Sequence, residues 1–363
     1  MRVHPLRGAN RFKLGLFSTN ADGGLAITKV PERWPATWEG IAASARLADE
    51  AGLEFILPIA RWKGFGGEIN SRETSLETLT FAAALSGITR RIAVFATVHV
   101  PMVHPVFAAK ALATIDQASA GRAGLNIVCG WNPAEFDLFG LPLIDDRYDQ
   151  GLEWVEIVNR IYTEPAPFDF HGRFYDLKAV SGKPLPVQHP RPVTLNAAFS
   201  PVGRNFAART ADFLFTTFLD IESGRAHVAD MQARGRALGR EIGVFTTCHI
   251  VCRPTQVEAC DYYEHYAVTM ADTDSVDIHM RAKATNAASH DPETFRLHRK
   301  RFAGGAGTYP LVGTPRHIAD EMIRMSEAGF AGTTLSFVNF CDELPYFLAE
   351  VLPLLREAGL RGA

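Results

Sequence analysis

Residues 92–135, IAVFATVHVPMVHPVFAAKALATIDQASAGRAGLNIVCGWNPAE, alternate apolar runs and punctuation in the way that decides the fold. The first run, Ile92 to Val98, is short, β-branched and aromatic, as expected of a strand buried on both faces. Pro105 suits the first turn of a helix, and Val106, Ala109, Leu112, Ala113 and Ile115 keep a 3.6-residue rhythm until Gly121 closes it. A second run, Leu125 to Val128, follows at once. In a parallel βαβ unit the residues just past the strand ends share the carboxyl edge of the sheet, where α/β proteins place their ligands. Here those residues are Thr97, His99, Asn126, Cys129, Trp131 and Glu135.

Working outward, the same alternation recurs. Toward the N-terminus, Arg11 to Ser18 and Leu53 to Pro58 read as strands, separated by a helix that Thr37 caps and Gly52 stops. A helix from Thr74 to Ile88 leads into the quoted stretch. Beyond it come a loop from Cys129 to Asp146 and a helix from about Arg147 to Tyr162. Strands at Val193 to Ala197, Phe213 to Thr217, Ile242 to Val251 and Thr333 to Val338 follow, with helices at Val202 to Thr210, Ser223 to Leu238, Gln256 to Tyr266, Thr314 to Ala328 and Glu343 to Leu355. Eight strands, nearly all followed by a helix, predict a closed (β/α)8 TIM barrel rather than an open sheet. No linker divides the chain, so residues 1–363 read as one barrel domain. Two insertions interrupt it after the fourth and seventh units. Residues 163–192, rich in proline around FDFHGRFYDL, predict a β-hairpin with an irregular return. Residues 271–310 are polar and glycine-rich, and are expected to form a lid ordered by ligand.

Composition narrows the function classes. Hydrophobic residues make up 47% of the 363, enough for a sizeable core, and a formal net charge of −3 gives no reason to expect nucleic acid or an anionic membrane as partner. Apolar runs fall short of a membrane span and the N-terminus lacks a signal-peptide core, so a cytoplasmic protein is expected. Five scattered cysteines form no C-x-x-C pair, and no histidine cluster has metal-ligand spacing, so no metal is expected.

The glycine patterns at 64–70 and 303–313 fit neither a phosphate-binding P-loop nor a dinucleotide fingerprint. Ala197 to Pro201 instead offers small residues, a hydroxyl and a helix N-terminus, which suits a phosphate or equally an ordinary Ser200 cap. His99 and His104 flank a proline loop at a strand end and suit a general acid or base, or plain packing. GWNPAEFDLFG at 130–140 suits a cover over a flat ligand or a hydrophobic plug.

ATIDQASAGRAGLNIVCGWNPAEF at 113–136, DDRYDQGLEWVEIVNRIY at 145–162, FHGRFYDL at 170–177 and YPLVGTPRHIADEM at 309–322 resemble the flavin-dependent monooxygenases of the bacterial luciferase-like family, nearest to its pyrimidine and dimethylsulfone monooxygenase branch. The resemblance implies the same (β/α)8 barrel, reduced FMN supplied by a separate NAD(P)H:flavin reductase, O2 as co-substrate, and a small organic substrate such as a sulfone or N-heterocycle, oxygenated through a flavin (hydro)peroxide. It also implies a homodimer or homotetramer. By resemblance, Ala60, Arg61, Asn126, Glu135, Arg147, Tyr148 and Ser200 contact FMN, and Thr97 with Asn126 lines the oxygen pocket. Phe65, Cys129, Trp131, Phe337 and Phe340 become walls of the substrate pocket, and His99 a polar contact to substrate. Three departures stand out: Ala198 and Phe199 occupy the site of small residues before the phosphate helix, Cys129 replaces a hydroxyl residue, and His99 has no counterpart in the pyrimidine branch. F420-dependent hydride transfer and non-catalytic flavin binding are the rival readings.

Overall fold

The computed structural model describes residues 3–283 and 292–362. Eleven strands are described: β1 Lys13–Phe17, β2 Phe55–Leu57, β3 Ala93–His99, β4 Ala123–Val128, β5 Phe168–His171, β6 Asp176–Val180, β7 Val193–Ala197, β8 Phe213–Phe215, β9 Gly243–Cys252, β10 Tyr309–Gly313 and β11 Gly332–Ser336. Eight of them, β1, β2, β3, β4, β7, β8, β9 and β11, pair in that order, and β11 returns to β1, so the expected (β/α)8 barrel is closed and parallel. β10 pairs beside the far half of β9, and β5 with β6 forms the expected antiparallel hairpin after the fourth barrel strand.

Aromatic rings fill the barrel. Phe55, Phe95, Leu195, Phe215 and Phe245 form one buried cluster with Leu6, which the N-terminal turn Pro5–Arg7 inserts beside the strand starts at Ala93 and Val193. Glycine makes this filling possible at Gly15 and Gly124, where a Cβ would lie 2.7 Å from the Phe55 ring and 2.3 Å from the Phe95 ring. A larger core lies between the strands and the surrounding helices, with Trp34, Trp154, Phe340 and Phe347 among its buried side chains. Burial on this scale is the main favourable term in folding.

Helices begin where capping chemistry allows. Thr37 caps α1 (Trp38–Glu50) as the sequence indicates. α2 (Thr78–Ile88) starts four residues later than expected, because the Glu77 carboxylate accepts from the N–H groups of Leu79 and Thr80. α3 (Pro105–Ala118) begins at Pro105, with the His104 ring as its cap, accepting from Val106 N at 3.3 Å. The stretch after β4 is not all loop: α4 (Pro133–Leu138) forms within it, before α5 (Arg147–Thr163). α6 (Pro201–Thr210) and α7 (Ile221–Ala237) flank β8.

The second insertion departs most from expectation. It continues α8 (Gln256–Glu264) through a π-helical turn into α9 (Thr273–Lys283), and α10 (Pro292–Gly305) precedes β10. Residues 284–291, part of the expected lid, lie outside the described residues. Tyr266, Ala267, Val276 and Ala303 give the rest its own small core with Ile27 and Val251, so the glycine-rich reading is corrected to a packed helical layer. Apolar burial holds the described part together. α11 (Pro315–Glu327) and α12 (Phe340–Glu357) complete the outer ring.

Candidate active site

β3 and β4 run side by side with Thr97 opposite Asn126. The Thr97 hydroxyl donates to the carbonyl of Pro58 at 2.6 Å, which leaves its lone pairs to accept from Asn126 Nδ2 at 3.2 Å. This chain fixes the Asn126 amide: nitrogen toward Thr97, and Oδ1 turned away, buried and without a partner. A buried acceptor left open costs roughly 1–3 kcal/mol unless a ligand or water donates to it. Thr78 steadies the pair from behind, its hydroxyl donating to the Thr97 carbonyl at 2.6 Å.

Next along the mouth, Arg61 and Glu135 form an ion pair at 3.0 Å, with side chains 4% and 2% exposed. The same Glu135 oxygen accepts from the backbone N–H of Trp62 at 2.9 Å. Glu135 therefore holds Arg61 and its loop. Burial lowers the Arg61 pKa, and the adjacent carboxylate opposes the shift. The guanidinium lies 4.6 Å from the Phe65 ring centroid and 5.5 Å from that of Trp131. Phe65 stacks on His279 of α9 at 3.9 Å, which brings the insertion to the site, and stands 6.4 Å from Trp131 at 22° from parallel. Trp131 is placed by Gly130, whose φ of +93° belongs to the left-handed region and where a Cβ would lie 2.4 Å from Phe136.

A third group gathers where α5 and α6 begin. Ser200 caps α6 by accepting from Gly203 N at 3.1 Å. A Cβ at Gly203 would lie 2.8 Å from the Tyr148 hydroxyl, so glycine admits that hydroxyl to the helix start. Tyr148 packs against Phe206, and the neighbouring Arg147 has a buried Nε without a partner. A positive helix end, a guanidinium and two hydroxyls make an anion cradle. Ala198 is buried beneath it, and Phe199 is exposed.

The other expected residues fall as follows. Ala60 is buried at the start of the Arg61 loop. Cys129 lies against α5, where a Cβ at Gly151 would meet its Sγ at 2.8 Å, and burial pushes its thiol up to about 12, so it remains a neutral thiol. Phe337 and Phe340 are not brought to the Phe65–Trp131 group; they pack on each other and on Phe347 and Trp34 within the core. His99 is buried, with Nδ1 unpartnered, and burial together with the Arg61 charge lowers its pKa to about 3. It is neutral at physiological pH, which corrects the reading of an acid or base poised near neutrality.

Because its folded pKa lies below the ordinary 6.5, the unfolded chain takes the proton first as pH falls. The stability involved is intact above about pH 6.5 and declines toward pH 3. His99→Gln should remove about 2 kcal/mol of the loss seen between neutral pH and pH 5, read from urea midpoints. His4 and His249, lowered likewise, act in the same window and remain in the variant. An unchanged acid slope would mean that His99 is hydrated in solution.

Two further residues shape the site with no warning from the sequence. Asn20, fully buried, donates to the carbonyls of Ile59 and Leu76 and accepts from Ile59 N, pinning the loop that carries Arg61. Arg72 is buried at a φ of +67°, donating to the carbonyls of Gly24 and Leu25. Burial lowers its pKa to about 9, with Arg61 adding to the shift and Asp22 opposing it. Among the described residues no group of three or more histidine, cysteine or acidic side chains could hold a metal ion, and no helix is long and apolar enough to cross a membrane.

Residues 12–332 match the family described as luciferase-like monooxygenase. The FMNH2-dependent dimethylsulfone monooxygenase of Pseudomonas putida is 30% identical over 354 residues, covering 95% of each chain. The pyrimidine monooxygenase RutA of Bradyrhizobium sp. is 30% identical over 366 residues, covering 96% of this chain and 98% of its own. Among solved structures, the long-chain alkane monooxygenase LadA superposes with a TM-score of 0.85 at 20% identity, covering 98% of this chain and 94% of that one.

Proposed function

The chain belongs to the luciferase-like monooxygenase family, and from that premise we propose that it is the oxygenating component of a two-component system that uses reduced FMN and O2 on a small organic substrate. A sulfone or an N-heterocycle is the substrate class suggested by the relatives, which are named for dimethylsulfone and pyrimidine. A separate NAD(P)H:flavin reductase would supply the reduced flavin. The observation that carries this reading is the Asn126 Oδ1, a fixed, buried acceptor without a partner beside the Thr97 hydroxyl. A reduced flavin ring carries N–H donors suited to it.

The residues fit FMN at both ends. Arg147, Tyr148 and the α6 start capped by Ser200 would hold the phosphate, Asn126 and Thr97 would bond the ring, and Arg61, kept in place by Glu135, would line its side. Bound reduced FMN supplies the two electrons with which one oxygen atom of O2 goes to substrate and the other leaves as water. The protein's contribution is positional. Neutral donors and acceptors at Thr97 and Asn126 are preorganised by Pro58 and Thr78, so they need no rearrangement as charge develops. Phe65, Trp131 and the buried Cys129 thiol exclude water. The same similarity to FMNH2-dependent enzymes weighs against F420 as cofactor.

Anaerobic titration should show binding of reduced FMN and not of F420, and adding O2 with a sulfone or pyrimidine should give a product one oxygen atom heavier. Tight F420 binding without FMN binding would replace this reading with hydride transfer. The cradle makes a separate prediction. Ser200→Ala with Arg147→Gln should weaken FMN binding about 10- to 100-fold, the worth of one or two hydrogen bonds to a charged group. Affinity for riboflavin, which lacks the phosphate, should change little. Equal losses for both flavins would place the phosphate elsewhere.

A further inference from the structure

The barrel interior carries a second group of unpartnered hydroxyls, away from Thr97 and Asn126. Thr247 on β9 and Thr334 on β11 stand opposite each other in register, and Ser336 stands opposite His249 one step further on. All three are at least 98% buried, and none of their hydroxyls has a hydrogen-bond partner. They face inward. Side chains alternate along a strand, and two residues before Thr247 is Phe245 of the interior cluster, while a Cβ at Gly332, two before Thr334, would lie 2.7 Å from the Phe245 ring. In the order of eight strands β9 and β11 are the seventh and eighth, and β3 and β4 the third and fourth. The hydroxyls therefore face the Thr97–Asn126 pair across the barrel, with apolar Phe17, Leu57 and Ala197 on the walls between.

Outward-facing threonines of the same strands divide: the Thr333 hydroxyl donates to the carbonyl of Thr334 at 3.1 Å and approaches Cys248 Sγ at 3.3 Å, while that of Thr246 is also buried without a partner. What sets Thr247, Thr334 and Ser336 apart is that they lie together on the inner wall. Valine in place of Thr247 or Thr334 would remove an open hydroxyl at little cost in volume. Buried polar groups are nearly always bonded, so a group of three left open calls for a missing partner.

Charge limits what that partner is. Arg61 pairs with Glu135 through Nη1 while its Nε is left without a partner, and Arg72, near the Ser336 side through Gly24, turns its Nε and Nη2 to backbone carbonyls. Among the described residues, no hydrogen bond or ion pair joins a charged side chain to the three hydroxyls, and hydroxyls both donate to and accept from uncharged polar groups.

We propose that Thr247, Thr334 and Ser336 form the substrate-recognition wall, and that it takes the polar end of a small, uncharged molecule whose oxygen or nitrogen atoms exchange hydrogen bonds with the three hydroxyls. The inference rests on the monooxygenase reading, since it places substrate on the wall that faces the flavin-side pair. It assigns these residues to selectivity and leaves flavin binding to the other side of the barrel.

The test uses the full chain, with and without FMN, and two pairs of probes differing in charge: dimethyl sulfone against methanesulfonate, and uracil against orotate. The neutral member of at least one pair should raise the thermal midpoint and its anionic partner should not. The variant Thr247→Val/Thr334→Val/Ser336→Ala should bind that neutral probe at least about 10-fold more weakly, the worth of about one hydrogen bond. Its FMN affinity should be that of the wild type, and without ligand its thermal midpoint should equal or exceed the wild-type value, because open hydroxyls have been replaced by apolar groups. Undiminished binding of the neutral probe by the variant overturns the proposal. So does equal or tighter binding of the anions, or binding of no probe at all, which would assign the hydroxyls to buried water. Failure of the wild-type protein to bind reduced FMN would instead remove the monooxygenase reading, and FMN affinity is measured separately so that the two failures can be told apart.

Discussion

Asn126→Ala is expected to abolish productive oxygenation, lowering kcat/KM by about 10²- to 10³-fold, the loss typical when one preorganised polar group facing developing charge is removed. Thr97→Val should do nearly the same, because the Asn126 amide takes its orientation from the Thr97 hydroxyl, which is itself fixed by the Pro58 carbonyl. The two changes should not add: either one disorders the same Oδ1, so the double variant should resemble the worse single variant. Consumption of O2 should continue as peroxide release, since reduced flavin reacts with O2 unaided. Product mass and peroxide, measured against O2 uptake, read the outcome directly. The fold should survive, since one lost internal hydrogen bond costs about 1 kcal/mol. Full coupling of O2 to product in Asn126→Ala would remove the pair from the mechanism.

The largest effect on stability is expected at Arg61. Its ion pair with Glu135 is almost wholly enclosed, and removing one partner leaves the other charge uncompensated in a place that water does not reach. Arg61→Ala or Glu135→Ala should therefore cost about 3–5 kcal/mol. Arg61→Met with Glu135→Gln should recover most of that loss. Both charges are then gone, and the glutamine carbonyl can still accept from Trp62 N. Activity should not recover with it, since the guanidinium beside Phe65 and Trp131 is absent. Unfolding midpoints of the four proteins form the test, and a single-variant cost below about 1 kcal/mol would mean that the pair is hydrated in solution.

These expectations draw unequally on sequence and structure. The barrel was legible from periodicity: Ile92–Val98, Leu125–Val128 and the helix between them lie within a residue or two of β3, β4 and α3. Such runs are local, and a strand buried on both faces or a helix with one buried stripe carries its own pattern. The second insertion was not legible. α9 and α10 are held by a small core assembled from Ile27, Val251, Tyr266 and Ala303, which are far apart in the chain, and a polar outer surface hides the helical stripe. The late start of α2 depended on a glutamate serving as cap, a role usually taken by shorter side chains.

Sequence by itself determined the alternation of strands and helices, the closed barrel, the family resemblance, and the gathering of Thr97, Asn126, Trp131 and Glu135 on and just beyond β3 and β4. Tertiary structure alone decided what those residues do to one another. It fixed the Asn126 amide through Pro58, turned Glu135 onto Arg61, withdrew Phe337 and Phe340 into the core, and left Thr247, Thr334 and Ser336 open across the barrel. The reason is physical. Secondary structure follows from the spacing of neighbours along the chain, whereas burial, desolvation and the pairing of polar groups depend on which distant residues close over them.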